Sequence, residues 1–230
     1  MKSLELEQST IKTDGTWLDI DLQEMHSALS WTVLGGGWTR TRSATWLRVS
    51  NEDLPPGLNP TEHYRNRLIE TGREINSIGF LTSASLFAYT ERICRFEKLW
   101  VRCVSTVGLG NAVRVGEPHL FHENYGTINL LVQTSVPLNL SASIEAVSIA
   151  TEARTLAILE GNVQSISGFQ PATGTGTDCI GIVSPEAKEC HIYAGKHTDI
   201  GHLIGSSAYQ AVQVGVEKWK LANKVSTGTM

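Results

Sequence analysis

The chain has 230 residues, 41% of them apolar and 18% charged, with a formal net charge of −4. This is globular composition rather than that of a disordered chain, and no basic run is present to drive binding to nucleic acid through its phosphates. No stretch approaches the ~20 apolar residues of a membrane-spanning helix, and the opening MKSLELEQST lacks the apolar centre of a secretory signal.

Cys94, Cys103, Cys179 and Cys190 are widely spaced, with no CxxC pair. That pattern fits reduced thiols in a cytoplasmic protein better than a disulfide framework. A single domain over residues 1–230 is the natural reading at this length. In chain order, residues 29–34 are apolar and run into Gly35, Gly36 and Gly37, which reads as a strand. Residues 40–49 alternate weakly around Trp46 and Leu47 and read as another. The three prolines and one glycine of residues 51–60 break any regular element and make a surface loop. Residues 61–77 follow as a helix, with Tyr64, Leu68, Ile75 and Ile78 near helical spacing.

Residues 99–107 (LWVRCVSTV) alternate as a strand ending at Gly108, and residues 127–133 (TINLLVQ) form a second strong one. Residues 139–160 are the clearest helix, rich in Ala, Leu and Glu, with Gly161 read as its C′ residue. Residues 178–183 and 191–194 read as strands, and residues 201–224 as the final helix. The tail from Val225 reads as frayed. Strands following strands, with a few helices between, predict an α+β fold: one domain of mixed or largely antiparallel sheet layers packed with about three helices.

Several nucleotide motifs fail. Gly195-Lys196 is followed by His197, where a P-loop needs Ser or Thr, and both Gly108-Leu-Gly110 and Gly174-Thr-Gly176 lack the third glycine of a dinucleotide fingerprint. His119, His122 and Glu123 have chemistry suited to a divalent metal, but a third ligand cannot be identified, so a polar loop is the simpler reading and no metal is assigned.

The strongest local signal is Thr173-Gly174-Thr175-Gly176-Thr177-Asp178. Its backbone N–H groups and hydroxyls can cradle an oxyanion, and Asp178 opens an apolar strand; a flexible turn with a capping Asp is the plainer reading. Gly126-Thr127-Ile128-Asn129 puts Thr127 and Asn129 on one face of a strand, where Asn129 can hold an amide. Gly108 to Arg114 (GLGNAVR) presents Asn111 after a strand. Glu145, Ser148, Glu152 and Thr155 form a polar stripe on the long helix, with Arg154 off it. Lys196 and His197 lie between a short strand and the last helix and can donate to a substrate or act as acid and base.

These pieces in this order resemble the adenosylcobinamide amidohydrolase family. The resemblance spans residues 28–214 and rests on ALSWTVLGGGW, GFLTSASL, VGLGNAVRVGE, GTINLLV, SIEAVSIATEARTLAILE, ATGTGTDCIGIV and YAGKHTDIGHLIGSSAYQAV. TGTGTD followed by YAGKHT is its sharpest part. The chain departs from the family pattern at Thr106-Val107-Gly108, where Thr-Ala-Gly is usual, and at Asn124-Tyr125, where His-Pro precedes Gly-Thr-Ile-Asn.

The resemblance implies hydrolysis of the amide joining aminopropanol to the corrin of adenosylcobinamide. The products are adenosylcobyric acid and 1-amino-2-propanol, a step of corrinoid salvage. The corrinoid is then the substrate, and no cofactor is implied. Amide hydrolysis needs an attacking oxygen, an oxyanion site and a proton for the leaving amine. In that light Asp178 is expected as general base or orienter of the nucleophile, with Glu152 as the competing carboxylate. Thr175, Gly176 and Thr177 supply the oxyanion site and His197 the proton. Asn111, Thr127, Asn129 and Lys196 contact the substrate. Cleavage before Thr127 would create an N-terminal threonine nucleophile, although nothing else in the sequence signals self-processing. A non-catalytic corrinoid carrier, with Trp31, Trp38 or Trp46 against the ring, and a hydrolase of another amide are the alternatives. Gly201 and Gly205 would admit homo-oligomerisation through the final helix, or an internal helix contact.

Overall fold

The structure, a computed structural model, describes residues 10–118, 126–168 and 170–226. The HxxH segment at His119, His122 and Glu123 and the last four residues lie outside these. Among the described residues are ten strands and three α-helices. The strands are β1 (Ile11–Thr13), β2 (Trp17–Ser30), β3 (Gly37–Arg48), β4 (Ser77–Thr82), β5 (Thr90–Phe96), β6 (Leu99–Val107), β7 (Ala112–Val113), β8 (Ile128–Thr134), β9 (Gly174–Thr175) and β10 (Cys179–Pro185). The helices are α1 (Pro60–Glu70), α2 (Leu140–Glu160) and α3 (Asp199–Ser226). The α+β, single-domain, three-helix expectation holds.

Eight strands form one mixed sheet in the order β4-β3-β2-β10-β8-β6-β5, with β1 added to β2; β7 and β9 make a separate two-stranded ribbon. The pairs β3–β4 and β8–β10 are parallel and the remainder antiparallel. One face of β6, β8 and β10 is covered by α2 and α3. Their small buried residues, Ala146, Ala150, Ala153, Ala208 and Ala211, let the two helices share one core with Val101, Ile128, Leu130 and Ile180. The opposite face presents Val104, Leu131 and Val183 to a second core with Leu18, Ile20, Trp46, Ile78 and Phe80. The limb β2–β3–β4 therefore curls back over the other strands, and Asn129 Nδ2 on β8 donates to Leu81 O on β4 at 2.7 Å. Helix α1 seals the outside of the curled limb with Tyr64 and Leu68 against Trp17, Leu34 and Leu47.

Several expected elements are corrected. The strand expected at 29–34 is only the end of β2, whose 14 residues hide their alternation behind a register shift between Asp21 and His26, where Gln23 has φ 67°. The helix expected over 61–77 stops at Glu70, capped through Thr71 and followed by Gly72 at φ 66°, so Ile78 belongs to β4. Residues 191–194 form no strand; a single bridge ties His191 to Leu138. At the end of α2 it is Asn162 that turns left-handed (φ 50°); Gly161 stays helical, and close packing requires glycine there, since a Cβ would lie 2.8 Å from Val216 Cγ1 of α3.

Trp46 and Phe80 stack at 4.3 Å between ring centroids, wholly buried at the centre of the second core. Trp46→Ala is expected to cost about 3–5 kcal/mol, read as a lower midpoint in urea denaturation with an unchanged slope.

Candidate active site

Strands β8 and β10 run in parallel with Asn129 opposite Cys179. The residues just before them, Gly126-Thr127 and Thr177-Asp178, therefore lie side by side. Two reciprocal contacts join them. The Thr127 hydroxyl lies 2.9 Å from Thr177 O and 3.2 Å from Asn129 Oδ1, and the Thr177 hydroxyl donates to Gly126 O at 3.1 Å. Close packing dictates glycine at 126: a Cβ there would meet Asn111 Oδ1 at 2.7 Å and the backbone of Gly108 and Gly110 at 2.8 Å. The ribbon β7–β9 draws the GLGN segment beside the TGTGTD turn, and Gly108 N donates to Thr127 O at 2.9 Å.

Asp178 anchors this arrangement. Its Oδ1 accepts from Ile128 N at 2.9 Å and from the Thr175 hydroxyl at 2.5 Å. Its Oδ2 accepts from Thr175 N at 2.9 Å and pairs with Arg154 Nη1 at 3.0 Å. The Asp178 and Arg154 side chains are only 6% and 12% exposed. Two carboxylate oxygens offer about four lone-pair sites, so four donors leave none to take a proton from a nucleophile. The four contacts tie the turn to β8 and α2. A Cβ at Gly174 would lie 2.5 Å from Asp178 Oδ2, which is why the turn needs glycine there.

Behind the threonine clasp lies a cavity of about 220 Å³, lined by Val33, Leu81, Ser83, Thr127, Thr177 and Cys179 among others. Its walls are chiefly apolar side chains with hydroxyls between them. Burial, and secondarily the Asp178 charge, pushes the Cys179 thiol up to about 11, so it is protonated at neutral pH. A second pocket of about 460 Å³ adjoins at Ser83 and reaches Gly108, Gly110 and Trp219. Trp31 stands at the rim, 44% exposed, held by its indole N–H on Asp178 O at 2.5 Å.

The structure gathers Thr127, Thr175, Gly176, Thr177 and Asp178, with Asn111 and Asn129 adjacent, but separates the rest. Asn129 is wholly buried, with Nδ2 on Leu81 O and Oδ1 beside Thr127, so it braces β8 against β4 and is closed to a corrin carboxamide. The Thr175 hydroxyl is spent on Asp178. Gly176 is exposed, with open space where a Cβ would go.

His197 is not among the residues that line the cavity at the clasp. TGTGTD leads into β10 and the segment carrying YAGKHT follows the other end of that strand, whose seven residues span about 20 Å. His197 lines another pocket with Leu99 at the start of β6, whereas the clasp is at the far end of that strand beyond Val107. Lys196 pairs with Glu152 on the outer side of α2; at 64% and 53% exposure such a pair adds little stability. Glu145 accepts from Ala194 N at 2.6 Å and so fastens this loop to α2. Arg154, set aside in the sequence as off the polar stripe, is instead the partner of Asp178. The available signal was that it is the sole basic residue of α2. Trp46, considered for the corrin, is core; Trp31 and Trp38 are exposed.

The family model of adenosylcobinamide amidohydrolases (CbiZ) matches residues 2–224. An adenosylcobinamide amidohydrolase of Methanosarcina mazei is 27% identical over 195 residues, covering 81% of this chain and 88% of that protein. The uncharacterized protein MJ1613 of Methanocaldococcus jannaschii is 29% identical over 137 residues, covering 51% of this chain and 53% of that protein. Among solved structures, the PH0078 protein of Pyrococcus horikoshii superposes with a TM-score of 0.47 at 12% identity, covering 93% of this chain and 82% of that one.

Removing one member of a buried ion pair leaves the other uncompensated. Arg154→Met is expected to cost about 3–5 kcal/mol in chemical denaturation, and adding Asp178→Asn to it is expected to cost less than the sum of the two single changes. Strict additivity would show that the two side chains are not coupled.

Proposed function

The chain belongs to the adenosylcobinamide amidohydrolase family and is an amide hydrolase of corrinoid salvage; we propose that its chemistry takes place in the cavity behind the Thr127–Thr177 clasp. The substrate amide links aminopropanol to a side chain of the corrin ring, and hydrolysis yields adenosylcobyric acid and 1-amino-2-propanol. A cavity of about 220 Å³ is too small for the corrin but suited to its aminopropanol arm. The ring then rests outside, where the exposed face of Trp31 offers an apolar support.

The observation that carries this reading is that the Thr177 hydroxyl already donates to a carbonyl oxygen, that of Gly126, at the cavity wall. A donor aimed at a carbonyl is the element an oxyanion site needs. Rotated toward a bound amide, the same hydroxyl stabilises the tetrahedral intermediate. The Thr127 hydroxyl, adjacent on the same wall, supplies the attacking oxygen. Asp178 acts as the orienting residue, fixing the turn that carries Thr177 while also holding Ile128 N, next to Thr127. Lys196, His197 and Glu152 stand apart from these steps. The expected cytoplasmic location suits this salvage chemistry, and among the described residues no helix is long and apolar enough to cross a membrane.

Thr177→Val is expected to lower kcat on adenosylcobinamide by ~10²–10³-fold, the usual loss for one oxyanion donor, with little change in KM. His197→Ala is expected to stay near wild-type turnover. Chromatographic separation of adenosylcobyric acid from the substrate gives both numbers. A dead His197→Ala enzyme beside a fully active Thr177→Val enzyme would move the site to the other end of β10.

A further inference from the structure

The described lining of the proposed cavity has hydroxyls to attack with and no base to activate them. Among its described lining residues none carries a carboxylate, imidazole or amine, and Cys179 holds its proton. Asp178 lies behind the wall with every acceptor position filled. A threonine hydroxyl is a weak nucleophile unless a base stands beside it, and one known solution is the threonine's own α-amine when it begins a chain.

The peptide bond that would have to be cut, Gly126–Thr127, lies in the wall of this cavity. Gly126 O accepts from the Thr177 hydroxyl, which polarises the Gly126 carbonyl. The hydroxyl of Thr127, the next residue, is held by Thr177 O and Asn129 Oδ1. Gly126 is clamped by the Gly108–Asn111 segment so closely that no side chain fits. Beside it Asn111 Oδ1 is buried and lacks a hydrogen-bond partner among the described residues. An acceptor in that position can take a hydrogen bond from a newly freed amine.

We propose that the chain cleaves itself between Gly126 and Thr127, and that the α-amine of Thr127 so released is the base of the amidohydrolase site. The Thr127 Oγ attacks the Gly126 carbonyl carbon, and the hydroxyl proton passes to the Thr127 nitrogen as the C–N bond breaks. The result is an ester between Gly126 and Thr127 Oγ, with the amine free. Water then adds to the ester and the C–O bond breaks, leaving a Gly126 carboxylate and restoring the Thr127 hydroxyl. One water is consumed in total, and no other reactant is needed. The same Thr177 hydroxyl serves the carbonyl in self-cleavage and the substrate amide afterwards. An α-amine ionises at about 8, so it is available as a base near neutral pH. The two pieces stay joined, because β8 of the second is hydrogen-bonded to β6 of the first.

This inference rests on the proposed amidohydrolase site, and one experiment separates the two. Purified full-length protein is assayed for adenosylcobinamide turnover, then split into a native size-exclusion run and a denaturing intact-mass measurement. The expected result is one native species that dissociates on denaturation into residues 1–126 and 127–230, their summed mass exceeding the chain by one water. Thr127→Ala is expected to remain one chain and to lose turnover, and Thr127→Ser to be cut again and to regain turnover, which guards against simple misfolding of the alanine variant. A wild-type protein that turns over substrate as one uncut chain overturns self-cleavage and leaves the amidohydrolase site standing. A cut protein whose Thr127→Ala variant remains active overturns the role of the amine. An uncut, inactive protein counts against both.

Discussion

The Asp178 carboxylate is the constraint on which the rest of the site depends. It joins three elements distant in sequence: Arg154 on α2, the Gly174–Thr177 turn and the first amide of β8. Each contact is ordinary, but together they leave the turn one place to sit, with Thr177 facing Gly126. Burying this ion pair costs desolvation on both sides, and Arg154 Nε has no partner among the described residues to offset it. A pair of apolar side chains could fill the same volume. What they could not do is fix the direction of the turn, because only a carboxylate accepts from a backbone amide, a hydroxyl and a guanidinium at once.

The parallel pairing of β8 and β10 makes this focus useful. Their crossover through α2 brings two amino-terminal strand ends together, β8 preceded by Thr127 and β10 by Thr177-Asp178. The carboxyl end of β6 delivers the glycine-rich GLGN segment to the same place, and the curled limb closes the cavity with Val33 and Leu81. Four separate segments thus converge at one end of the sheet. The segment carrying Lys196 and His197 emerges at the other end and is fastened to α2 through Glu145.

The sequence disclosed the parts of the fold whose apolar pattern is regular. β6, β8, β10, α2 and α3 stand within a residue or two of their expected limits, since fully buried strands and a long alanine-rich helix announce themselves. β2 was largely hidden because its bulge shifts the alternation, and β5 because an edge strand of sequence TERICRF has little apolar pattern. The TGTGTD and GTIN signals were legible as chemistry, and they meet. Their division of labour was not, because saturation of Asp178 depends on Arg154, some 24 residues earlier in the chain. Asn129 could not be known as a buried brace without the closure of β4 on β8. Nor could any spacing rule show that a short strand sets His197 far from Asp178.

The measurement that bears most directly on this arrangement is a crystal structure of the Thr127→Ala variant with adenosylcobinamide bound. The expected result places the aminopropanol amide in the cavity, its carbonyl oxygen within hydrogen-bond distance of Thr177 Oγ, and the corrin over Trp31. An amide seated against Lys196 and His197, with the Thr177 cavity empty, would contradict it.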